Sequence, residues 1–253
     1  MASLPVQVVR GIVLRETQTR ESDKILTLLT GELGKVPVIA RGLRKKHCAF
    51  AAAAQPLVWS EWTLYRRGEW LYARESSTLE LFSGLREDLE RLALGCFFAE
   101  LTESVTVEGA PAEELLRHLL NGLYALSTLH KPPELAEPAF VWKLLSLAGY
   151  EPLADGCAVC GAPDPEEPRL DPVQGVIRCG RCGPAGTGSP LCRDSLAALR
   201  HILYGDPKRL YAFSLEGEPL ARLTRASEGF LAAQLERRFP TLDYYKSLRG
   251  PSR

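Results

Sequence analysis

The sequence lacks the features of a membrane or exported protein. No apolar run reaches the roughly 20 residues that a membrane-spanning helix needs. The N-terminal segment has no basic region followed by an uninterrupted apolar core, so we expect no signal peptide and a cytoplasmic protein. The net charge is zero, and over the whole chain it therefore indicates no anionic partner.

The motifs of common catalytic sites are missing as well. The chain contains no G-x-x-x-x-G-K-[ST] phosphate loop, no G-x-G-x-x-G between a strand and a helix, and no G-x-S-x-G elbow. None of the four histidines is followed two positions later by glutamate, which excludes the signature of the zinc deaminases. We therefore predict that the protein is not an enzyme and has no small-molecule substrate.

Cysteine, by contrast, is plentiful and unevenly placed. The chain has seven cysteines, which in a cytoplasmic protein do not indicate a disulfide framework. Cys48 and Cys96 stand alone, whereas the other five fall between residues 157 and 192. Such crowding indicates a metal site.

Four of the clustered cysteines have the spacing of a zinc site. Cys157 and Cys160 form one C-x2-C pair, Cys179 and Cys182 form a second, and 18 residues separate the pairs. A glycine follows each pair, and two such turns direct four thiolates towards one tetrahedral Zn²⁺ ion. Four thiolates leave no open coordination position, so we expect a structural zinc in a module at about residues 153–192. Cys192 is expected to be a bystander, although its exchange for one of the four ligands stays open.

The first 80 residues have the pattern of short strands. One pair of apolar runs flanks a glycine-bearing turn at residues 31–34, and a second pair flanks a turn at Arg67 and Gly68. Five strands in about 75 residues, without a helical period, fit an OB-fold barrel. An SH3-like barrel fits the pattern nearly as well.

From Leu85 the apolar residues recur at spacings of three and four, which is typical of helices. After a first helix in that region, further helices are predicted at residues 111–130, 139–147, 195–204 and 220–239. We therefore predict a multi-domain α+β protein. Residues 1–80 form an N-terminal OB-fold β-barrel, and residues 81–253 form a helical domain with the four-cysteine zinc module inserted.

The charges are not evenly distributed. Residues 1–80 carry twelve basic and eight acidic residues, a local net charge of +4, whereas residues 81–150 have a net charge of −5. The loop Arg41–His47 contains four cations, and such a loop either binds phosphates or only keeps the surface soluble. A basic N-terminal region on a neutral chain is consistent with local contact with nucleic acid.

Aromatic residues crowd the second hairpin. They are Trp59, Trp62, Tyr65, Trp70 and Tyr72. Exposed aromatics of an OB-fold stack on unpaired bases, but rings in such a pattern are more often part of a core or a domain interface. We interpret them as core or interface residues.

Glu21–Thr30, which continues through Gly34-Lys35 to Ile39-Ala40-Arg41-Gly42, has a specific pattern. It closely resembles the N-terminal signature of the bacterial recombination mediator family RecO, and the resemblance extends in the right order over nearly the whole chain. Further matches are Leu64–Arg66, Leu85–Leu89, Leu144–Pro152 before the first cysteine pair, and Tyr245–Leu248. The alanine-rich run Ala49–Ala54 departs from the family and leaves the shape of its loop open.

The resemblance implies an N-terminal OB-fold and a helical domain with a zinc module. It also implies binding to single- and double-stranded DNA, strand annealing, and cooperation with RecR in loading RecA onto DNA coated by single-strand-binding protein. The DNA-contacting residues of the family carry over to Lys24, Lys35, Arg41, Arg44, Lys45 and Lys46. Such a protein is expected at the nucleoid. The alternatives are a protein–protein adaptor with incidental DNA contact and, less favoured, an enzyme that uses the zinc.

Overall fold

The structure is a computed structural model that describes residues 6–19, 23–44, 48, 50–183 and 186–249. The chain divides into two compact units. One combines the residues up to Thr128 with those from Thr241 onwards, and the other spans Leu129–Pro240. The predicted domain boundary at residue 80 coincides with the end of the last barrel strand and stays a prediction.

Five strands of the first unit form a closed barrel. They are β1 (Val6–Gln18), β2 (Lys24–Thr30), β3 (Gly34–Ala40), β4 (Trp59–Arg67) and β5 (Trp70–Glu80). Their order around the barrel is β1-β2-β3-β5-β4, and β3 and β5 pair in parallel through Val38–Leu71 and Ile39–Tyr72. This order, with β5 inserted between β3 and β4, is that of an OB-fold. The predicted fold class is therefore confirmed, and the SH3-like alternative is not.

The barrel interior follows from the alternation of side chains along each strand. Leu26 and Leu28 of β2, Val38 of β3, and Trp62 and Leu64 of β4 are all fully buried. The alanine-rich segment after β3 also contributes to this core, because Ala53 and Ala54 are only 3% and 1% exposed. Small side chains let that segment lie close against the barrel.

Within the described residues, six α-helices follow the barrel. They are α1 (Leu89–Val105), α2 (Glu113–Ser127), α3 (Pro133–Leu147), α4 (Arg193–Tyr204), α5 (Gly217–Leu235) and α6 (Pro240–Leu248). In the first unit, Asp88 caps α1 by accepting hydrogen bonds from the backbone N–H groups of Glu90 and Arg91 at 2.9 and 3.1 Å. Within the described residues no helix combines the length and the apolar character that crossing a bilayer requires.

The second unit packs α3, α4 and α5 around fully buried side chains that include Phe140, Trp142 and Leu199. Here α3 begins six residues before the predicted start, because Pro133 suits a first helical position and Pro138 is accommodated inside the helix. A small sheet of order β7-β6-β8 lies between α3 and α4 in sequence. Its strands are β6 (Arg169–Asp171), β7 (Val176–Arg178) and β8 (Ser189–Pro190).

Candidate metal centre and candidate nucleic-acid interface

The four cysteines predicted as ligands meet at one point of the second unit. The sulfur atoms of Cys157, Cys160, Cys179 and Cys182 all lie within 4.8 Å of one another, and those of Cys160 and Cys179 are 4.0 Å apart. An ion bound tetrahedrally through bonds of about 2.3 Å requires sulfur–sulfur separations of about 3.8 Å. The cluster therefore has the dimensions of a four-thiolate metal site.

Backbone hydrogen bonds shape the two turns that present the sulfurs. In the first turn the N–H of Gly161 donates to the carbonyl of Cys157 at 2.9 Å, and Gly161 has the positive φ of +72° that favours glycine. In the second turn the N–H groups of Cys182 and Gly183 donate to the carbonyl of Cys179 at 3.0 and 3.1 Å. The glycine after each cysteine pair thus belongs to the tight turn that directs both sulfurs of the pair towards the cluster.

The surroundings of the sulfurs favour a bound cation. The pKa of Cys157 is lowered to about 6, because the backbone N–H groups of Cys160, Cys179 and Val159 are directed at its sulfur. The pKa of Cys182 is raised to about 12, first because its thiol is hydrogen-bonded to Cys179 and next because of the other sulfurs. Four thiolates at this distance repel one another, so full ionisation of the cluster requires a positive charge among them.

Cys192 lies outside this cluster and has a different structural role. It precedes α4, where its backbone N–H donates to Ser195 Oγ at 2.7 Å and the two residues form a capping box. In the part of the chain that the structure describes, no second group of histidine, cysteine or carboxylate side chains shares the geometry of the four-cysteine cluster. The cluster is therefore the candidate metal centre.

The six basic residues predicted to contact DNA have different surroundings. Lys24 Nζ forms an ion pair with Glu16 Oε1 at 2.6 Å, and Lys35 Nζ donates to the backbone carbonyl of Glu103 at 2.8 Å. Both ammonium groups thus already have partners in the first unit. The side chains of Arg41 and Arg44 are exposed, whereas Lys45 and Lys46 lie outside the described residues.

One hydrogen bond places the basic loop at an end of the barrel. The N–H of Gly42 donates to Asp23 Oδ1 at 2.8 Å, which joins the residues after β3 to the residue before β2. We call the region around Asp23, Arg41, Gly42 and Arg44 the loop end of the barrel. Nucleic acids bind OB-folds at the face of the second and third strands and at neighbouring loops. The loop end is therefore the candidate nucleic-acid interface.

The structure divides the aromatic residues of the second hairpin between the core and the surface. Trp62 is fully buried and donates from Nε1 to the carbonyl of Gly11 at 3.3 Å, as expected for a core residue. Trp70, by contrast, is 46% exposed, and the rings of Tyr65 and Tyr72 stack 5.2 Å apart on the barrel exterior. The interpretation as core or interface residues agrees with the burial of Trp62 and Tyr72, whereas the exposed Trp70 is not a core residue. It did not predict the stacked pair of Tyr65 and Tyr72, although counting outward from the turn at Gly68 places these two residues opposite each other.

Comparison with known proteins gives consistent matches over the whole described chain. The family models described as "Recombination protein O N terminal" and "Recombination protein O C terminal" match residues 6–82 and 86–243. The chain is 33% identical to the DNA repair protein RecO of Symbiobacterium thermophilum, over 96% of this chain and 97% of that protein. It is 29% identical to the protein of the same name from Acetivibrio thermocellus, over 94% and 95%. For Anaeromyxobacter dehalogenans strain 2CP-C the identity is 38% over 77% and 78%.

Proposed function

Because the chain belongs to the RecO family of DNA repair proteins, we propose that it acts as a recombination mediator. In this role it binds single- and double-stranded DNA without sequence specificity and promotes annealing of complementary strands. With RecR, it helps to load RecA onto DNA coated by single-strand-binding protein. The proposal places the protein in the cytoplasm, at the nucleoid, and assigns it no catalytic step.

The observation that carries this proposal is the pair of exposed arginines at the loop end of an OB barrel. Arg41 and Arg44 are exposed there, and Lys45 and Lys46 follow directly in the sequence. Contacts between cations and phosphates supply affinity without reading the base sequence, which suits a repair factor that acts at any site. Annealing requires two strands to approach each other, and a basic surface lowers their mutual repulsion.

Lys24 and Lys35 remain proposed DNA contacts, but they differ from the loop residues because their ammonium groups already have partners in the protein. Their ammonium groups bind Glu16 and the carbonyl of Glu103, so a phosphate has to replace or share those partners. We therefore expect the residues of the loop to supply most of the salt-dependent affinity, and the two strand lysines to supply less.

We further propose that the four-cysteine cluster holds a structural Zn²⁺. Thiolate ligands in a tetrahedral arrangement suit zinc, and four of them leave no position for a substrate. Bound there, the ion would offset two of the four negative charges of the thiolates of Cys157, Cys160, Cys179 and Cys182. The cluster joins residues that flank a sheet whose strands are only two or three residues long. Such short strands supply little packing of their own, so we expect the ion to hold this module together.

The DNA-binding proposal is tested by reversing the charge of the loop. In a variant with Lys45→Glu and Lys46→Glu, the dependence of log affinity on log salt should become shallower. Each lost phosphate contact removes about 0.9 from that slope for duplex DNA and about 0.7 for single strands. Loss of two contacts should therefore reduce the magnitude of the slope by about 1.8 for duplex DNA and by about 1.4 for single-stranded DNA. The measurement is fluorescence anisotropy of labelled single-stranded and duplex DNA over a salt series.

A matched control separates local from overall charge. Arg117→Glu combined with Arg225→Glu changes the net charge by the same amount at arginines on α2 and α5 whose side chains are 63% and 61% exposed. This control should leave the slope unchanged. Equal slopes for the wild type and the loop variant would contradict the proposed interface. No binding at low salt would contradict the mediator proposal and favour a protein–protein adaptor.

A further inference from the structure

The outer face of the β4–β5 hairpin presents three aromatic side chains. Tyr65 and Tyr72 are direct cross-strand partners, and Trp70 pairs across the turn with Arg67. Side chains alternate along a strand, so these residues project away from the face on which Trp62 is buried in the core. We call Tyr65, Trp70 and Tyr72 the aromatic platform.

The flat groups of this surface are stacked on one another. The rings of Tyr65 and Tyr72 are 5.2 Å apart with an interplanar angle of 18°, and the guanidinium carbon of Arg41 lies 4.6 Å from the centre of the Tyr72 ring. Arg41 follows β3 and Tyr65 belongs to β4, and these two strands flank β5 on either side. The stack therefore runs across three strands and ends in a cation from the loop end.

Trp70, which lies next to the turn, is the most exposed residue of the aromatic platform. Tyr72 is 9% exposed because its neighbours cover it, Tyr65 is half-buried, and Trp70 is 46% exposed. Burial of a large ring against the core is favourable, so an indole left outside a well-packed barrel is available to another flat group. Arg41 lies over the Tyr72 ring and Arg67 is the cross-strand partner of Trp70, so two cations lie beside the platform and favour an anionic partner.

We propose that Trp70, the exposed ring of the aromatic platform, stacks on an unpaired base of single-stranded DNA while Arg41 and Arg67 contact the adjacent phosphates. This inference rests on the proposed function and adds to it a basis for recognising single strands. Phosphate contacts do not require unpaired bases, and in a duplex the bases are already stacked on each other. Every base has a π-face, so stacking on this platform remains independent of sequence.

The test compares two labelled oligonucleotides of equal length, using the full chain and fluorescence anisotropy. One is oligothymidylate and the other carries abasic sites in place of the thymidines, so both present the same phosphate backbone. Trp70→Ala should weaken binding to oligothymidylate by at least about five-fold and leave binding to the abasic strand unchanged. Trp70→Phe should retain most of the affinity because it keeps an aromatic ring.

Tyr124→Ala is the matched control, because Tyr124 on α2 is also 46% exposed but lies outside the platform. It should change neither affinity. The inference is overturned if Trp70→Ala weakens binding to both strands equally or to neither. A wild-type chain that binds neither strand at low salt contradicts the proposed function itself, and the two failures are therefore distinguishable.

Discussion

Gly34, the first residue of β3 after the turn from β2, tests how the barrel contacts the segment before α2 in its own unit. Its φ is +62°, and a methyl group built on its Cα would overlap the carbonyl oxygen of Ala110 and lie 2.9 Å from the carbonyl carbon. The atoms it meets belong to the backbone, so no side-chain rotation relieves the overlap. Gly34→Ala should therefore force the segment before α2 away from the turn.

Gly68 provides a matched control in the other hairpin. Its φ is +63°, and a methyl group there has no neighbour within 4 Å. Alanine in the left-handed region costs about 1–2 kcal/mol, partly offset by the lower entropy of the unfolded chain. We expect Gly68→Ala to lower the free energy of unfolding by about 1 kcal/mol. Gly34→Ala should cost about 1–3 kcal/mol more, which is the usual range for overpacking.

The assay is urea unfolding followed by tryptophan fluorescence. It reports mainly on the barrel, because Trp59, Trp62 and Trp70 lie in β4 and β5 and only Trp142 lies elsewhere. The difference between the two variants isolates the contact with Ala110, because both carry the same backbone penalty. Equal destabilisation by the two substitutions, within about 0.5 kcal/mol, would refute the argument that this contact fixes the turn.

Two further predictions concern the second unit. Cys179→Ser should reduce bound zinc, measured by elemental analysis of the purified chain, from about one ion per chain to a small fraction. Cys192→Ser should retain the bound zinc, because Cys192 lies outside the cluster and serine is a favoured N-cap that preserves the start of α4. Equal zinc content in the two variants would exclude the proposed ligand set. Phe230→Ala should lower the free energy of unfolding by about 3–5 kcal/mol, because its ring is 2% exposed and lies 5.1 Å from that of Trp142. A loss below about 1 kcal/mol by chemical unfolding would show that this contact contributes little.

Local patterns were sufficient for much of the fold. The turn at Gly68 separates two runs of alternating residues, and the observed hairpin pairs β4 with β5 around it. The spacing of the two cysteine pairs likewise depends only on local chain geometry, and their sulfurs meet as expected. In the hairpin, the deciding interactions join residues close in sequence. In the cysteine cluster, the spacing within each pair decides which sulfurs can bind one ion.

Other features could not be predicted from the sequence pattern, because they depend on contacts between residues far apart in sequence. The helix predicted at residues 139–147 begins at Pro133 in the structure, because packing in the second unit stabilises a helix that contains Pro138. The predicted helix at residues 220–239 ends at Leu235, because Glu236 adopts a φ of +48°. The next helix, α6, begins at Pro240, beyond the predicted one, and ends at Leu248, where the family match Tyr245–Leu248 also ends.

By itself, the sequence determined the strand-rich first 80 residues, the helical remainder, the four-cysteine cluster and the likeness to RecO proteins. These follow from periodicity, turn residues and motif spacing. Only the tertiary structure decided that β5 closes the barrel next to β3, that Lys24 and Lys35 have partners, and that Arg41 stacks on Tyr72. The reason is that the contacts of β3 with β5, of Lys35 with Glu103 and of Arg41 with Tyr72 join residues far apart in sequence. The ion pair of Lys24 with Glu16 spans only eight positions and depends on the register of β1 against β2. Strand order and side-chain partners depend on how the whole unit packs, and no local pattern records that packing.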